Sequence, residues 1–276
     1  MFRYTVVKKI KGVCRGCKKI RISEKKQTKG ISQFLEVEMT EFRLDAQGLR
    51  KGCVLASIAY AVSAGEHAEM EGEHSWDRLN YCINNFAGIR GTITFHPEYI
   101  VAVFREESKA DIYKNAYDYF AGATTNILKI AEVETLRYML QDVDGEQKPV
   151  ITAAFWGTWS DFYSTQSWNE ILENGGSIIE NYFLGYKEVM EQCKNKYGLK
   201  NKQIELIADL FRRKTSGMEW EIRLNDDEIK CLRGDLKKTK KALRELNIFF
   251  DIPKRKKQTV KWPVWEWADK TGKKEK

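Results

Sequence analysis

No stretch of the 276 residues approaches the roughly eighteen consecutive apolar positions that a membrane-crossing helix needs. The longest near-continuous apolar run covers residues 53–62, and residues 1–10 carry charges where a secretory leader needs its apolar stretch. No glycine-rich phosphate loop, pair of catalytic carboxylates or nucleophile elbow occurs, so catalysis lacks its usual sequence markers. Internal repeats at solenoid periods are missing too. The cysteines are few for the length: six, at positions 14, 17, 53, 82, 193 and 231. Thiols so dispersed, without an export signal, are expected to be free rather than paired in disulfides. Together these absences predict a cytoplasmic protein with no membrane contact.

What is present is an uneven charge. The first thirty residues hold eleven Lys/Arg and one acid, and residues 233–276 hold fifteen Lys/Arg against six Asp/Glu. The whole chain nets only +8, so residues 31–232 must carry −11. A basic patch concentrated in this way gains from counterion release on a polyanion. The competing reading of a lysine run is a solvated face. A hydrophobic content of 42% with 12% aromatics excludes wholesale disorder, and the length suits two domains of ordinary size.

The N-terminal part predicts an α+β or α/β body over residues 1–166. Strands are expected at residues 4–10, 19–22 and 34–42; in the last, Leu35, Val37 and Met39 alternate with charged or polar neighbours. The alanine-rich run at 53–62 reads as a buried helix, and Leu79, Ile83 and Phe86 suggest a second over 76–86. Strands at 92–95, 99–104, 127–133 and 150–156 then interleave with helices at 108–120 and 135–142. Ser167 and Glu170 form a capping box at the head of a long connecting helix, residues 167–198, which Gly175 and Gly176 could interrupt and Gly198 ends. The domain boundary is placed near residues 198–201.

Beyond it, residues 202–212 predict a helix and 218–224 a strand. Asn225 caps a helix containing Ile229 and Leu232, Gly234 turns, and Leu236, Thr239, Leu243 and Leu246 make the inner stripe of another helix. That stripe leaves Lys237, Lys238, Lys240, Lys241 and Arg244 outward. Two β-rich segments then flank the basic turn Lys254, Arg255, Lys256 and Lys257, with Trp262, Trp265 and Trp267 anchoring the second. The order helix, strand, helix, turn, helix, hairpin over residues 199–270, followed by a charged tail at 271–276, resembles the winged helix-turn-helix superfamily. The resemblance covers about a quarter of the chain. It implies a third helix in the major groove, a wing along the backbone, and duplex DNA as partner, as in a transcriptional regulator or a replication-initiation protein of a mobile element. Lysine offers point charges more readily than base-edge hydrogen bonds, so weak sequence preference is expected. Winged helices also serve as protein-interaction modules, and the body could form a homo-oligomer or bind a protein.

Three constellations offer chemistry. Cys14 and Cys17 have the spacing of half a zinc site, to be completed only by Cys53, Cys82 or a histidine; structural thiols are the competing reading. His67, Glu71 and His74 would share a helical face, although Gly65 and Gly72 favour an acidic loop there. Cys53 after Gly52 at a helix start, followed by His96 at a strand, has the order of a papain-like cysteine hydrolase, against the reading of a buried thiol and a structural histidine. No cofactor is expected beyond the zinc that the first pair would hold.

Overall fold

Apolar residues at every position of a strand, rather than every second one, mean that both faces of a sheet are covered, and residues 100–104 and 153–156 have that character. The computed structural model describes residues 15–28, 31–216 and 221–251, and in it both segments are central strands of one antiparallel sheet of mixed α+β architecture. The strands are β1 (Arg15–Thr28), β2 (Ile31–Arg43), β3 (His74–Asp77), β4 (Asn80–Asn84), β5 (Ile89–Phe95), β6 (Ile100–Glu106), β7 (Leu140–Val143), β8 (Glu146–Pro149), β9 (Ala153–Gly157) and β10 (Phe162–Ser164). Eight form the main sheet in the order β1-β2-β10-β9-β6-β5-β4-β3, while β7 and β8 pair separately. Only Thr40–Phe42 of β2 meets β10, so the β1–β2 hairpin runs on past its neighbours.

Alternation sorts the side chains. Ile100, Ala102, Phe104, Ala153 and Phe155 enter one buried cluster, and Val101, Val103, Ala154 and Trp156 enter another on the opposite face. The first face is covered by α1 (Ala46–Ser63), α4 (Tyr186–Tyr197), α5 (Asn201–Thr215) and α7 (Leu236–Glu245). The second is covered by α2 (Thr125–Ile130), a π turn at Ala131–Thr135 and 3-10 turns at Ala116–Phe120 and Leu136–Met139. The first cluster is continuous from Phe42 to Phe250.

Several expected elements take another form. Residues 76–86 are not a helix but the β3–β4 hairpin. Asp77 pairs with Asn80, Arg78 takes a left-handed φ of 56° in the two-residue turn, and Tyr81 and Ile83 point inward while Phe86 is exposed. Over 108–120 the Asp111 and Asn115 carboxyl and amide oxygens accept from the backbone of Tyr113 and Tyr117. Such local bonds compete with helical ones, and short turns result. Residues 127–133 are helical rather than extended, and 135–142 give one 3-10 turn before β7. β7 turns into β8 through Asp144-Gly145, both at positive φ, a hairpin signal legible in sequence.

The connecting helix is three pieces: α3 (Trp168–Glu173), a 3-10 segment at Gly176–Phe183, and α4. Gly175 and Gly185, at φ of 108° and 102°, make the breaks. The Ser167–Glu170 capping box forms in both directions. The apolar stripe it heads is buried against α1, with Ile171, Ile179 and Val189 essentially inaccessible.

After Gly198 closes α4, the elements follow the expected order: α5, the short strand β11 (Ile222–Arg223), α6 (Asp226–Cys231), α7 and β12 (Ile248–Phe249). β11 and β12 pair in parallel. Asn225 caps α6 through the Asp227 and Glu228 amides. The expected wing (Lys254, Arg255, Lys256, Lys257) with its tryptophans, the strand at 4–10 and Cys14 lie outside the described residues. Among the described residues no helix is long and apolar enough to cross a membrane.

Candidate nucleic-acid interface

Helix α7 starts where Asp235 accepts from the Lys237 amide, and its inner stripe forms as the spacing requires: Thr239 and Leu243 are inaccessible, Leu246 nearly so. The helix is held tightly to the body. The Asp235 amide donates to the Gly65 carbonyl at 2.9 Å, and a methyl at Gly65 would collide with the Arg233 carbonyl. The lysines therefore decorate a helix whose inner face is packed on the body, with Lys237, Lys241 and Arg244 exposed.

Helix α7 lies beside an acidic loop that follows α1. Lys241 pairs with Glu71 at 2.9 Å, which raises the lysine and, with help from Lys238, lowers the glutamate. Arg233 reaches Glu66 at 3.6 Å. Lys240 faces Asp251 at 3.6 Å and lies over the Phe250 ring. Of the five cations expected to face outward, Lys237 and Arg244 are exposed and have no side-chain partner among the described residues. The −11 of the body thus has a local consequence: part of it sits against the basic helix.

Unneutralised charge gathers elsewhere. Where the C-terminal end of α7 meets α1, the β3–β4 turn and the end of α5, there is an open groove of about 400 Å³. α1 supplies Arg50, Lys51 and Val54, the hairpin supplies Trp76 and Arg78, and α5 supplies Lys214 and Thr215. Arg50, Lys51 and Arg78 are exposed, with no ion pair among the described residues. The single acid in the lining is Glu245. Its carboxylate is engaged with the Trp76 amide at 3.1 Å, and burial raises its pKa. Trp76 is fixed as well: its indole N–H donates to Ser57 at 2.8 Å and its ring stacks on Phe95. Cations on the rim and an aromatic wall, with Glu245 the one acid beside them, form a surface suited to phosphate with an attached apolar group. The sequence signal was the adjacent Arg50-Lys51 pair and Arg78, but only the fold brings them together.

The other chemical candidates separate. Helix α1 begins at Ala46, capped by Asp45, so Cys53 lies two turns inside it rather than at its positive end. Burial pushes that thiol well above its ordinary range, the opposite of an activated nucleophile. His96 is in the β5–β6 turn, where Nδ1 accepts from the Glu98 amide and the ring stacks on Tyr99. Among the described residues Cys53 and His96 share no contact, so the hydrolase pairing does not form. The metal face does not form either: His67 bonds Glu69 and the Tyr197 carbonyl, Glu71 bonds Lys241, and His74 is buried elsewhere. Cys17 is in β1, and its partner Cys14 is outside the described residues. No group of three or more metal-ligating side chains gathers among the described residues.

His74 instead joins a buried polar chain. Glu73, ion-paired with Lys196, accepts from the Tyr197 hydroxyl at 3.0 Å. Tyr197 has then spent its proton, so its oxygen accepts from His74 Nε2–H at 3.1 Å. That leaves Nδ1 to accept from the Tyr81 hydroxyl at 2.7 Å. Burial, assisted by Lys196, lowers the His74 pKa to about 3 and keeps the ring neutral. A cavity of about 130 Å³ adjoins this chain.

No known protein family, curated protein or solved structure matches this chain.

Proposed function

We propose that the protein binds nucleic acid, holding phosphates on the groove between α1, the β3–β4 turn and the C-terminal end of α7, with Lys237 and Arg244 extending the contact along α7. The observation that carries this reading is the cluster Arg50, Lys51 and Arg78, unpaired among the described residues and grouped around one groove. Like charges clustered on one exposed surface repel one another and draw a polyanion, and several phosphate contacts gain further through counterion release. The basic run Lys254, Arg255, Lys256 and Lys257, which comes after the described residues in sequence, adds to the same partner's affinity. The partner in this reading is duplex DNA, contacted with little sequence preference, in the cytoplasm, as suits a transcriptional regulator or a replication-initiation protein of a mobile element. No catalysis is part of it.

The test is a mobility shift of the full chain on duplex DNA, single-stranded DNA and RNA across a salt series. Affinity should fall by at least roughly tenfold between low and physiological salt, the signature of multiple phosphate contacts. Absence of binding at low salt, or binding indifferent to salt, overturns the reading.

A further inference from the structure

The groove has more than charge. About 400 Å³ of space is walled on one side by Val54 and the half-buried Trp76 and rimmed on the other by Arg50, Lys51 and Arg78. A duplex backbone uses cations alone and has no need of an apolar recess behind them. A nucleotide whose base has left the stack needs both: a flat apolar surface for the base, and cations within reach of its own phosphate. The volume lies within the range of pockets that enclose small organic ligands. Trp76 is also preorganised, because its N–H is held by Ser57 and its ring rests on Phe95. It therefore presents apolar surface without first having to be ordered.

We infer that this groove is a subsite for a single unpaired nucleotide, the base lodged against Trp76 and Val54 and its phosphate held by Arg50, Lys51 and Arg78. The inference rests on the nucleic-acid reading above and refines it: the preferred ligand is a duplex interrupted by, or ending in, an unpaired nucleotide rather than an uninterrupted duplex.

The experiment compares the full chain's affinity for a blunt duplex, the same duplex with a short thymidine tail, and the tail alone. In parallel the indole N–H resonances are followed by NMR, with Trp76 assigned through Trp76→Phe. Roughly tenfold tighter binding of the tailed duplex, with a shift of the Trp76 resonance, is expected. The double variant Arg50→Glu/Lys51→Glu changes two exposed side chains of α1 that make no ion pair among the described residues, where substitutions alter stability little. It should remove the tail preference while retaining the wild-type unfolding midpoint. If both duplexes bind equally and the Trp76 resonance stays in place, the subsite is overturned while nucleic-acid binding stands. If neither duplex binds, both readings fall. An acidic peptide or polyglutamate that shifts Trp76 where no oligonucleotide does would assign the groove to a protein partner and overturn the nucleotide subsite.

Discussion

Glu73 and His74 are neighbours in sequence, and both are almost completely inaccessible. What makes this tolerable is a chain of partners supplied by α4 and β4, ending in the half-exposed Lys196. The chain holds His74 neutral, and that has a consequence for stability. Its folded pKa of about 3 lies below the ordinary histidine value near 6.5, so between those pH values the unfolded chain binds a proton that the folded chain refuses. Stability attributable to this group is therefore complete above pH 6.5 and is lost as pH falls toward 3, with a slope of at most about 1.4 kcal/mol per pH unit. The carboxylates on the surface also titrate in this window, so the measurement is a difference. Urea midpoints of wild type and His74→Gln, followed from pH 7 to pH 4, should converge as the pH drops. A constant gap between them would show that His74 does not resist protonation.

Helix α7 is the element for which pattern and surroundings diverge most. Its stripe of Leu236, Thr239, Leu243 and Leu246 was legible because period and burial coincide. The acids facing its lysines were not, since Glu69 and Glu71 are more than a hundred and fifty residues away in sequence and arrive there only because α1 and α7 pack together. The same distinction explains the other elements. β6 and β9 carry continuous apolar runs that define buried strands, β5 alternates Ile93 and Phe95 with threonines, and α1 is a long alanine-rich helix, so all were readable. Residues 76–86 and 127–133 are short apolar segments whose period fits either state, and tertiary pairing decided them. Exposed ion pairs such as Lys241–Glu71 are worth little, about 0–1 kcal/mol, yet the glutamate still repels a nearby phosphate. Reversing Lys237 and Arg244 to Glu should therefore weaken nucleic-acid binding more than reversing Lys240 and Lys241, which already face acids. Fluorescence anisotropy at low salt measures both pairs. An equal loss from each would mean that the acids on the body do not shield the helix.

At the scale of the whole molecule, the buried cluster on the helical face of the sheet takes residues from β2, α1, β4–β6, β9, α4, α5, α6, α7 and β12 alike. Leu206, Ile207 and Leu210 of α5 and Leu243 of α7 are buried in that common cluster, together with Leu49, Cys53 and Ile58 of α1. A fragment beginning at Lys200 would carry the α5–α7 elements and all the basic residues after them, but would expose the apolar face that α1 covers. Large-to-small changes in such cores cost about 2–5 kcal/mol for one side chain, and removing α1 withdraws many at once. The fragment should therefore lack fixed tertiary packing, with weak near-ultraviolet circular dichroism and poorly dispersed amide resonances. The full chain should unfold in one transition, with tryptophan fluorescence and far-ultraviolet dichroism sharing a midpoint in urea. Separate midpoints, together with a well-dispersed spectrum from the fragment, would show that the C-terminal elements fold by themselves. The groove formed where α7 meets α1 would then be a junction between independent units, and its charge reversals would have to be read in the intact chain alone.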